Sequence, residues 1–215
     1  SIMRTIRNSI FILMFFSFFA YSQENDFQSW NSVKISKKVY KRTNLTVKEG
    51  LRFRENSTLI SKTFTDLKLT HRIKKTDLGL SVGYRFSNEF NLEILNEFQH
   101  RYYLNFSLGY KYERYKLSSR ARIQYDGNSN DYEPLYRQKF NVSYNVRKTP
   151  FEPFYQFECF INFNRELEKL RYTLGFSYPL IKDIDAELFY RIQQELNTNN
   201  PENLYILGTS LSYKL

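Results

Sequence analysis

The chain has 215 residues, and its 32 Lys and Arg against 22 Asp and Glu give a net charge of +10 at pH 7. Aromatic residues make up 18% of the sequence, although the mean hydropathy is only −0.58. This combination does not suit an ordinary soluble domain. It is typical of a protein whose apolar surface is a thin layer bordered by amphipathic rings. The single cysteine, Cys159, excludes an intramolecular disulfide and a CxxC metal or redox site.

The first residues have the pattern of an export signal. Two arginines precede an apolar run over residues 10–20, which is too short to cross a bilayer because a spanning helix needs about 20 residues. Small residues follow at the expected cleavage site, which ends at Ser22. We therefore predict a signal peptide over residues 1–22 and one exported domain over residues 23–215. Export disfavours nucleic acid as a partner, despite the basic charge.

Apolar and polar residues then alternate with a period of two to the end of the chain. In the closing stretch NLYILGTSLSYKL, Tyr205, Leu207 and Leu211 fall on one face, whereas small and polar residues fall on the other. This period is typical of β-strands, and the segments have about the 9–11 residues of a membrane-spanning strand or slightly more. The predicted strands cover residues 26–36, 43–54, 58–73, 77–86, 98–112, 116–126, 135–147, 153–164, 168–179, 184–195 and 203–215.

The connections between these segments alternate in length. KYERYK, VRKTP and PLIKDI are predicted as tight turns, whereas YDGNSNDYEP, FNRELEK and ELNTNNPEN are longer and more polar. Short turns on one side and longer loops on the other are typical of an up-and-down barrel. Because single-chain bacterial barrels have an even number of strands, we predict ten or twelve, with twelve preferred. Either a further strand lies within residues 86–98, or the first segment is not a full span.

The two faces distinguish a membrane barrel from a soluble sandwich, which also alternates. One face is aromatic and aliphatic along almost the whole chain, whereas the other mixes charged residues with Gly, Ser and Asn. Such a mixture suits the lumen of a closed barrel, and in lipid only a closed sheet pairs every backbone group. We predict an all-β, antiparallel up-and-down transmembrane β-barrel, whose last strand pairs with its first, in the outer membrane of a Gram-negative bacterium. A secreted or periplasmic β-sandwich is the alternative.

Several stretches resemble known outer-membrane barrels. The alternating residues that include Tyr213 and Leu215 resemble the C-terminal signal of such barrels, with Leu in place of the usual terminal Phe. A further set of stretches occurs along the chain in the order DFQSWNSVKISKK, EGLRFREN, VGYRF, SSRARIQYD, FEPFYQFECF, RYTLGFSY and LYILGTSLSYKL. Through these stretches the chain resembles a family of Bacteroidota outer-membrane β-barrel proteins of unknown function. The resemblance implies a fold and a location but no activity.

The two histidines are the first candidates for catalysis. His71 and His100 share the parity of apolar neighbours, so we expect both to point outward near an interface. A lipid-modifying barrel enzyme would need a nucleophilic Ser beside one of them, and neither HRI nor HRY supplies it. The sequence has no glycine-rich phosphate loop, HExxH motif or EF-hand loop, and DGNSND is predicted as a surface turn. We therefore expect no enzymatic activity, metal or cofactor.

The predicted inner face is dominated by cations. On these registers 18 cations and seven acids point inward, so pairing cannot neutralise the lumen. The candidate lumen-lining cations are Arg52, Arg54, Lys62, Lys68, Arg72, Arg85, Arg101, Arg120, Arg122, Arg137, Lys139, Arg171 and Arg191. The other inward cations are Lys34, Lys48, Lys111, Lys169 and Lys214, and the inward acids are Asp66, Glu113, Asp126, Glu158, Asp185, Glu187 and Glu195. Glu49 instead falls on the outward parity, unless a bulge at Gly50 changes the register.

Lumen charge gives the main functional hypothesis. Arg and Lys rings favour anions, and a guanidinium group can bind carboxylate or phosphate through two hydrogen bonds. Arg120 and Arg122, two residues apart on one inward face, are the strongest candidates for contact with an anion. We predict a narrow, passive, porin-like channel for small acidic solutes. A non-conducting structural or accessory barrel that docks a partner is the alternative, and a lipid-modifying enzyme is a third. Outer-membrane lipid is the expected surrounding partner, and the sequence indicates no particular protein partner.

Overall fold

Eleven β-strands make up the computed structural model, which describes residues 25–90, 97–128, 131–164, 166–198 and 201–215. The predicted signal peptide lies outside these residues. Among them, no helix is long and apolar enough to cross a membrane. The strands are β1 Asn25–Tyr40, β2 Thr43–Arg54, β3 Leu59–Arg72, β4 Leu78–Glu89, β5 Glu97–Tyr112, β6 Tyr115–Gly127, β7 Tyr132–Tyr144, β8 Glu152–Asn162, β9 Leu167–Ile181, β10 Ile184–Glu195 and β11 Asn203–Lys214. The predicted all-β class is confirmed.

The sheet closes into a barrel. Each strand pairs antiparallel with its neighbour in the chain, and β11 returns to pair with β1. This last ladder is parallel and runs without interruption from the Asn25–Asn203 pair to the Ser36–Lys214 pair. Closure pairs the two strands that would otherwise be edges. The prediction that the last strand pairs with the first is confirmed, whereas the prediction of a fully antiparallel barrel is wrong at this one ladder.

The structure describes eleven strands, so the prediction of ten or twelve strands is wrong. Of the further strand predicted within residues 86–98, residues 91–96 lie outside the described residues. Each of the eleven predicted segments corresponds to one strand, and β1 is a full strand of 16 residues. An even count is expected for single-chain bacterial barrels, and it leaves the first and last strands antiparallel. With an odd count the first and last strands run the same way, so only a parallel ladder can join them.

The connections lie at the two ends of the barrel, here called the turn mouth and the loop mouth. The turn mouth carries residues 41–42, 73–77, 113–114, 145–151 and 182–183. The described residues of the loop-mouth connections are 55–58, 90, 128, 131, 163–164, 166, 196–198 and 201–202. Each of the two-residue turns 41–42, 113–114 and 182–183 contains one residue with a positive φ angle, namely Arg42 at 61°, Glu113 at 49° and Asp183 at 66°. Both β1 and β11 run from the loop mouth to the turn mouth.

Side chains alternate between an apolar outer face and a polar inner face. Leu104 and Leu174 on the outer face are 62% and 64% exposed. Arg122 and Arg137 on the inner face are only 6% and 7% exposed. A soluble sandwich buries its apolar side chains and exposes its charges, so the barrel has the opposite distribution.

Glu49 keeps its predicted outward position. Its carboxylate accepts a hydrogen bond from Thr65 Oγ1 at 2.9 Å, and the side chain is exposed on the outer face. Gly50 pairs in regular register with Phe64, and the irregularity between β2 and β3 falls further along β2. The alternative of a bulge at Gly50 is therefore wrong. The glycine instead makes room for the Phe64 ring, which lies over it inside the barrel.

Paired cysteines at two heights of the β1–β11 ladder test the parallel closure. In a Cys159→Ser background, Ser29→Cys with Leu207→Cys and Ile35→Cys with Tyr213→Cys each place two thiols on partner positions. Neighbouring strands bring such positions within reach of a disulfide, so we expect both pairs to cross-link. Non-reducing electrophoresis and mass spectrometry measure the product.

The exchanged pairs are the matched controls. Ser29→Cys with Tyr213→Cys, and Ile35→Cys with Leu207→Cys, separate the thiols by six ladder positions, or roughly 20 Å. We expect neither to cross-link. An antiparallel closure would join the exchanged pairs instead, and that result would contradict the structure.

Candidate functional site: a cationic lumen

The lumen contains a cavity of about 380 Å³, here called the lumen cavity, with lining residues from all eleven strands. Twelve Lys and Arg and five acids line it. Ten of the predicted lumen-lining cations are among them, namely Arg52, Lys62, Arg85, Arg101, Arg120, Arg122, Arg137, Lys139, Arg171 and Arg191. Lys48 and Lys169, also predicted to point inward, are the other two. The predicted parity therefore brings most of these side chains into one space.

The three other candidates lie elsewhere. Lys68 has the inward parity of β3 but is not among the residues that line the lumen cavity. Arg54 lies at the end of β2, with its Nε 3.9 Å from the carboxylate of Glu55. Arg72 ends β3 at the turn mouth and lines a separate shallow pocket.

Glu158 on β8 draws three guanidinium groups together. One carboxylate oxygen lies 2.8 Å from Arg120 Nη2 and 2.9 Å from Arg137 Nη2, and the other lies 3.6 Å from Arg171 Nη1. The register explains part of this cluster, because Glu158 pairs directly with Arg171 on β9. Glu158 is only 7% exposed. One buried carboxylate shared by three cations fixes the guanidinium groups and leaves the cluster positively charged.

Asp66 on β3 forms a second anchor in the wall. It accepts hydrogen bonds from Arg85 Nε at 2.8 Å and from the Tyr103 hydroxyl at 2.7 Å. Gly83 lies under the Tyr103 ring on the intervening strand, and a side chain there would collide with the ring. Arg122 stacks on the same ring, with its Cζ 3.8 Å from the centroid. Arg122 is therefore part of a packed wall.

The sequence interpretation missed charged partners at the strand ends. Lys62 forms an ion pair with Glu89, and Lys116 Nζ lies 2.5 Å from Glu152. Glu89 lies three residues beyond the predicted end of β4, and Glu152 lies one residue before the predicted start of β8. Extending the same alternation past the predicted boundaries would have placed both acids inside.

Inward aromatic rings carry further guanidinium groups. Arg52 Cζ lies 3.7 Å from the centroid of the Trp30 ring, and Arg191 Cζ lies 5.3 Å from it. Arg171 Cζ lies 4.5 Å from the Phe160 centroid. Such contacts are favourable and hold the guanidinium groups against the wall without neutralising them. The parity of β1 does place Trp30 inward, but the polar composition of the inner face gave no reason to expect rings there.

Several cations of the lumen cavity lack a carboxylate partner. In the part of the chain that the structure describes, no carboxylate oxygen lies within 4.0 Å of Lys48, Arg52, Lys139 or Arg191. Arg191 Nε donates to the neutral hydroxyl of Thr173 at 2.9 Å. Uncompensated charges of one sign in a low-dielectric space repel one another and attract a mobile ion of the other sign. The lumen cavity is therefore suited to small anions.

A second cavity of about 370 Å³ lies between the lumen cavity and the turn mouth. The two cavities share the lining residues Arg120, Lys139, Phe154, Gln156 and Glu187. Hydroxyl and amide groups from several strands dominate the rest of its lining. Polar space therefore continues from the cationic centre of the barrel towards the turn mouth.

The histidines lie on the outer face and each meets a hydroxyl group. His71 Nδ1 lies 2.9 Å from Thr43 Oγ1, and His100 Nδ1 lies 2.7 Å from the Tyr84 hydroxyl. His100 also contacts the Phe86 ring, at 5.5 Å between centroids. Across the described ranges, no three His, Cys, Asp or Glu side chains are grouped to hold a metal ion. Thr43 is the direct cross-strand partner of His71, and Tyr84 is a diagonal neighbour of His100, so the strand register provides both hydroxyl partners.

The fold and the site together define an all-β closed barrel with a cationic lumen. The chain belongs to the family described as Protein of unknown function (DUF2490), which matches residues 27–204. The expected membership of a family of unknown function is thereby confirmed. A comparison with curated proteins found no match.

Replacing Glu158 tests whether the wall depends on its guanidinium cluster. Glu158→Gln leaves three neighbouring cations without their shared carboxylate, and breaking a buried ion pair costs about 3–5 kcal/mol. We therefore expect the free energy of unfolding to fall by about 3–5 kcal/mol. Denaturant titration of the refolded barrel in detergent measures it, with the single tryptophan, Trp30, as an intrinsic probe inside the lumen.

Glu187→Gln is the matched control. Glu187 lines the same cavity but, among the described residues, forms no ion pair within 4.0 Å. We expect its loss of stability to stay below about 1 kcal/mol. Equal losses in the two variants would show that Glu158 has no special structural role.

Proposed function

We propose that this protein is a transmembrane β-barrel of a Gram-negative outer membrane, of the kind that the Bacteroidota resemblance implies. Its lumen gives a narrow, passive, porin-like path that prefers anions and admits small acidic solutes. The single observation that carries the proposal is an apolar outer face around a lumen whose lining has twelve cations against five acids. The export signal predicted over residues 1–22 agrees with this location.

Aromatic side chains at both ends of the outer face support the membrane location. Exposed rings near the loop mouth include Phe27, Phe86, Phe98, Tyr102, Tyr125, Tyr132 and Phe163. Exposed rings near the turn mouth include Tyr110, Tyr112, Tyr115, Phe151, Tyr178 and Tyr213. An apolar band between two aromatic girdles is typical of membrane barrels, whose rings lie at the two lipid–water interfaces.

The distance between the girdles fits a bilayer. On β5, Tyr102 and Tyr110 flank the outward residues Leu104, Phe106 and Leu108. Eight residues of strand cover about 26 Å, which becomes about 20 Å along the membrane normal at a tilt near 40°. The rings extend beyond their backbone positions, so this spacing agrees with an apolar band of about 25 Å.

The structure changes which lumen cations are expected to meet a solute. Arg122 donates to Asn105 at 2.6 Å and packs on a ring, and Arg120 is tied to Glu158. Lys48 and Lys139 line the lumen cavity from opposite sides of the strand order and lack a carboxylate partner within 4.0 Å in the described residues. We therefore propose the unpaired cations, rather than Arg120 and Arg122, as the principal contacts for a passing anion.

Dense packing in the lumen favours a second candidate function. Gln124 is fully buried, and Arg122 and Arg137 are nearly so, although all three point into the barrel. A lumen filled in this way favours a structural or accessory barrel that docks a protein partner and does not conduct. Neither proposal assigns a catalytic role to His71 or His100.

Neutralising the unpaired lysines tests the channel. We expect the refolded barrel in a planar bilayer to conduct stably and to show an anion-selective reversal potential under a salt gradient. Lys48→Gln with Lys139→Gln removes two lumen charges. Each charge attracts an anion at a distance of roughly 4 Å by about 1 kcal/mol, even in water. The anion-to-cation permeability ratio should therefore fall by about fivefold or more.

Lys37→Gln with Lys182→Gln is the control, since it makes the same change in net charge outside both cavities. We expect its permeability ratio to stay close to that of the unmodified chain. A correctly folded barrel that carries no current would refute the channel and leave the accessory role.

A further inference from the structure

The two mouths of the barrel carry opposite charge. The turn-mouth connections contain eight cations and three acids, whereas the described residues of the loop-mouth connections contain no cation and four acids. A barrel that crosses a membrane therefore presents a basic surface on one side and an acidic surface on the other. Basic residues next to a membrane attract anionic lipid headgroups.

The positive charge is concentrated where two turns meet. Residues 37–42 and 72–77 contain seven cations and a single acid, Asp77. In the described part of the chain, none of these cations lies within 4.0 Å of a carboxylate oxygen. This excess of charge therefore lacks an ion-pair partner among the described residues, and its side chains are exposed.

The two turns form a shaped pocket, here called the rim pocket. Arg42, Arg72, Ile73, Lys75, Thr76 and Asp77 line it. The backbone N–H of Arg72 donates to the carbonyl oxygen of Arg42 at 2.9 Å, which fixes one turn against the other. Arg42 and Lys75 both have positive φ angles, of 61° and 59°, so each turn has a defined backbone shape. Three cations thus converge on one depression at the barrel rim.

Apolar side chains adjoin this pocket on the outer face. Val39, Leu45, Leu69 and Leu80 are 49%, 39%, 42% and 48% exposed and belong to the strand ends that carry the two turns. A ligand at the rim would therefore meet cations at one end and an apolar wall at the other. A lipid with an anionic headgroup has this complementary arrangement, because its phosphate lies at the interface and its acyl chains lie along the apolar band.

We infer that the rim pocket binds the phosphate of an anionic phospholipid, with Arg42, Arg72 and Lys75 as its cationic contacts. Guanidinium groups bind phosphate through two hydrogen bonds, and Lys75 adds a point charge. The site rests on the membrane location proposed above but not on conduction. It makes the turn mouth the side of the barrel that selects lipids.

Lipid retention by the refolded chain tests this site. Native mass spectrometry counts the phosphatidylglycerol or phosphatidylcholine molecules that remain bound when the barrel is released from mixed micelles. We expect retained phosphatidylglycerol to exceed phosphatidylcholine. Arg42→Gln with Lys75→Gln should weaken phosphatidylglycerol binding by about fivefold for each charge, or about 25-fold in all.

Arg147→Gln with Lys148→Gln is the matched control. It removes two cations from another turn-mouth connection, and these residues do not line the rim pocket. We expect phosphatidylglycerol retention close to that of the unmodified chain. Equal losses in the two double variants would overturn the site, because they would show a response to net charge alone. Displacement by inorganic phosphate at lipid-like concentrations would also overturn it, since the pocket would then recognise free phosphate.

Flotation with vesicles separates this inference from the proposed function. A chain that does not float with phosphatidylcholine vesicles would overturn the membrane location and the rim site together. A chain that floats, yet retains both lipids equally, would overturn the rim site and leave the membrane barrel intact. Current in a planar bilayer is measured independently and bears only on the channel.

Discussion

The parallel ladder between β1 and β11 is the interaction on which the rest of the structure depends. It joins twelve residues of each strand and converts a sheet with two free edges into a closed wall. Only a closed wall can separate a charged interior from an apolar exterior over the full length of the strands. If the ladder opened, two rows of backbone groups would lose their partners, and in the proposed membrane location the lumen cations would meet lipid.

Inside that wall, the charged side chains contact groups that the sheet brings close to them. Glu158 and Asp66 each bind groups from neighbouring strands. Trp30 supports Arg52, which has no carboxylate oxygen within 4.0 Å among the described residues, and Phe160 supports Arg171. These contacts satisfy some of the buried cations, which would otherwise be costly to remove from water. They do not neutralise the interior, because the cations outnumber the acids along the lumen cavity. This excess of buried cations is costly to the stability of the wall. In the proposed function, the same excess makes the lumen selective for anions.

Strands and faces were predictable from the sequence because they follow from a local rule. A period of two identifies a strand and assigns each side chain to one side, so the sequence alone placed Arg85 and Arg171 in the lumen. Partners could not be predicted in this way, because the Asp66–Arg85 and Glu158–Arg171 pairs depend on the register between strands. Strand number failed for a related reason. The segments were counted correctly, but closure is a contact between the two ends of the chain, and no local pattern shows whether it is parallel or antiparallel.

An odd number of strands also places the start of the first strand and the end of the last strand at opposite mouths of the barrel. Asn25 lies at the loop mouth and Lys214 at the turn mouth, because β1 and β11 point the same way. Barrels with an even number of strands return both ends to one side. In a membrane, the start of β1 and the end of β11 would therefore face different compartments. The fold could thus connect two compartments through its own chain, whether or not any solute crosses its lumen.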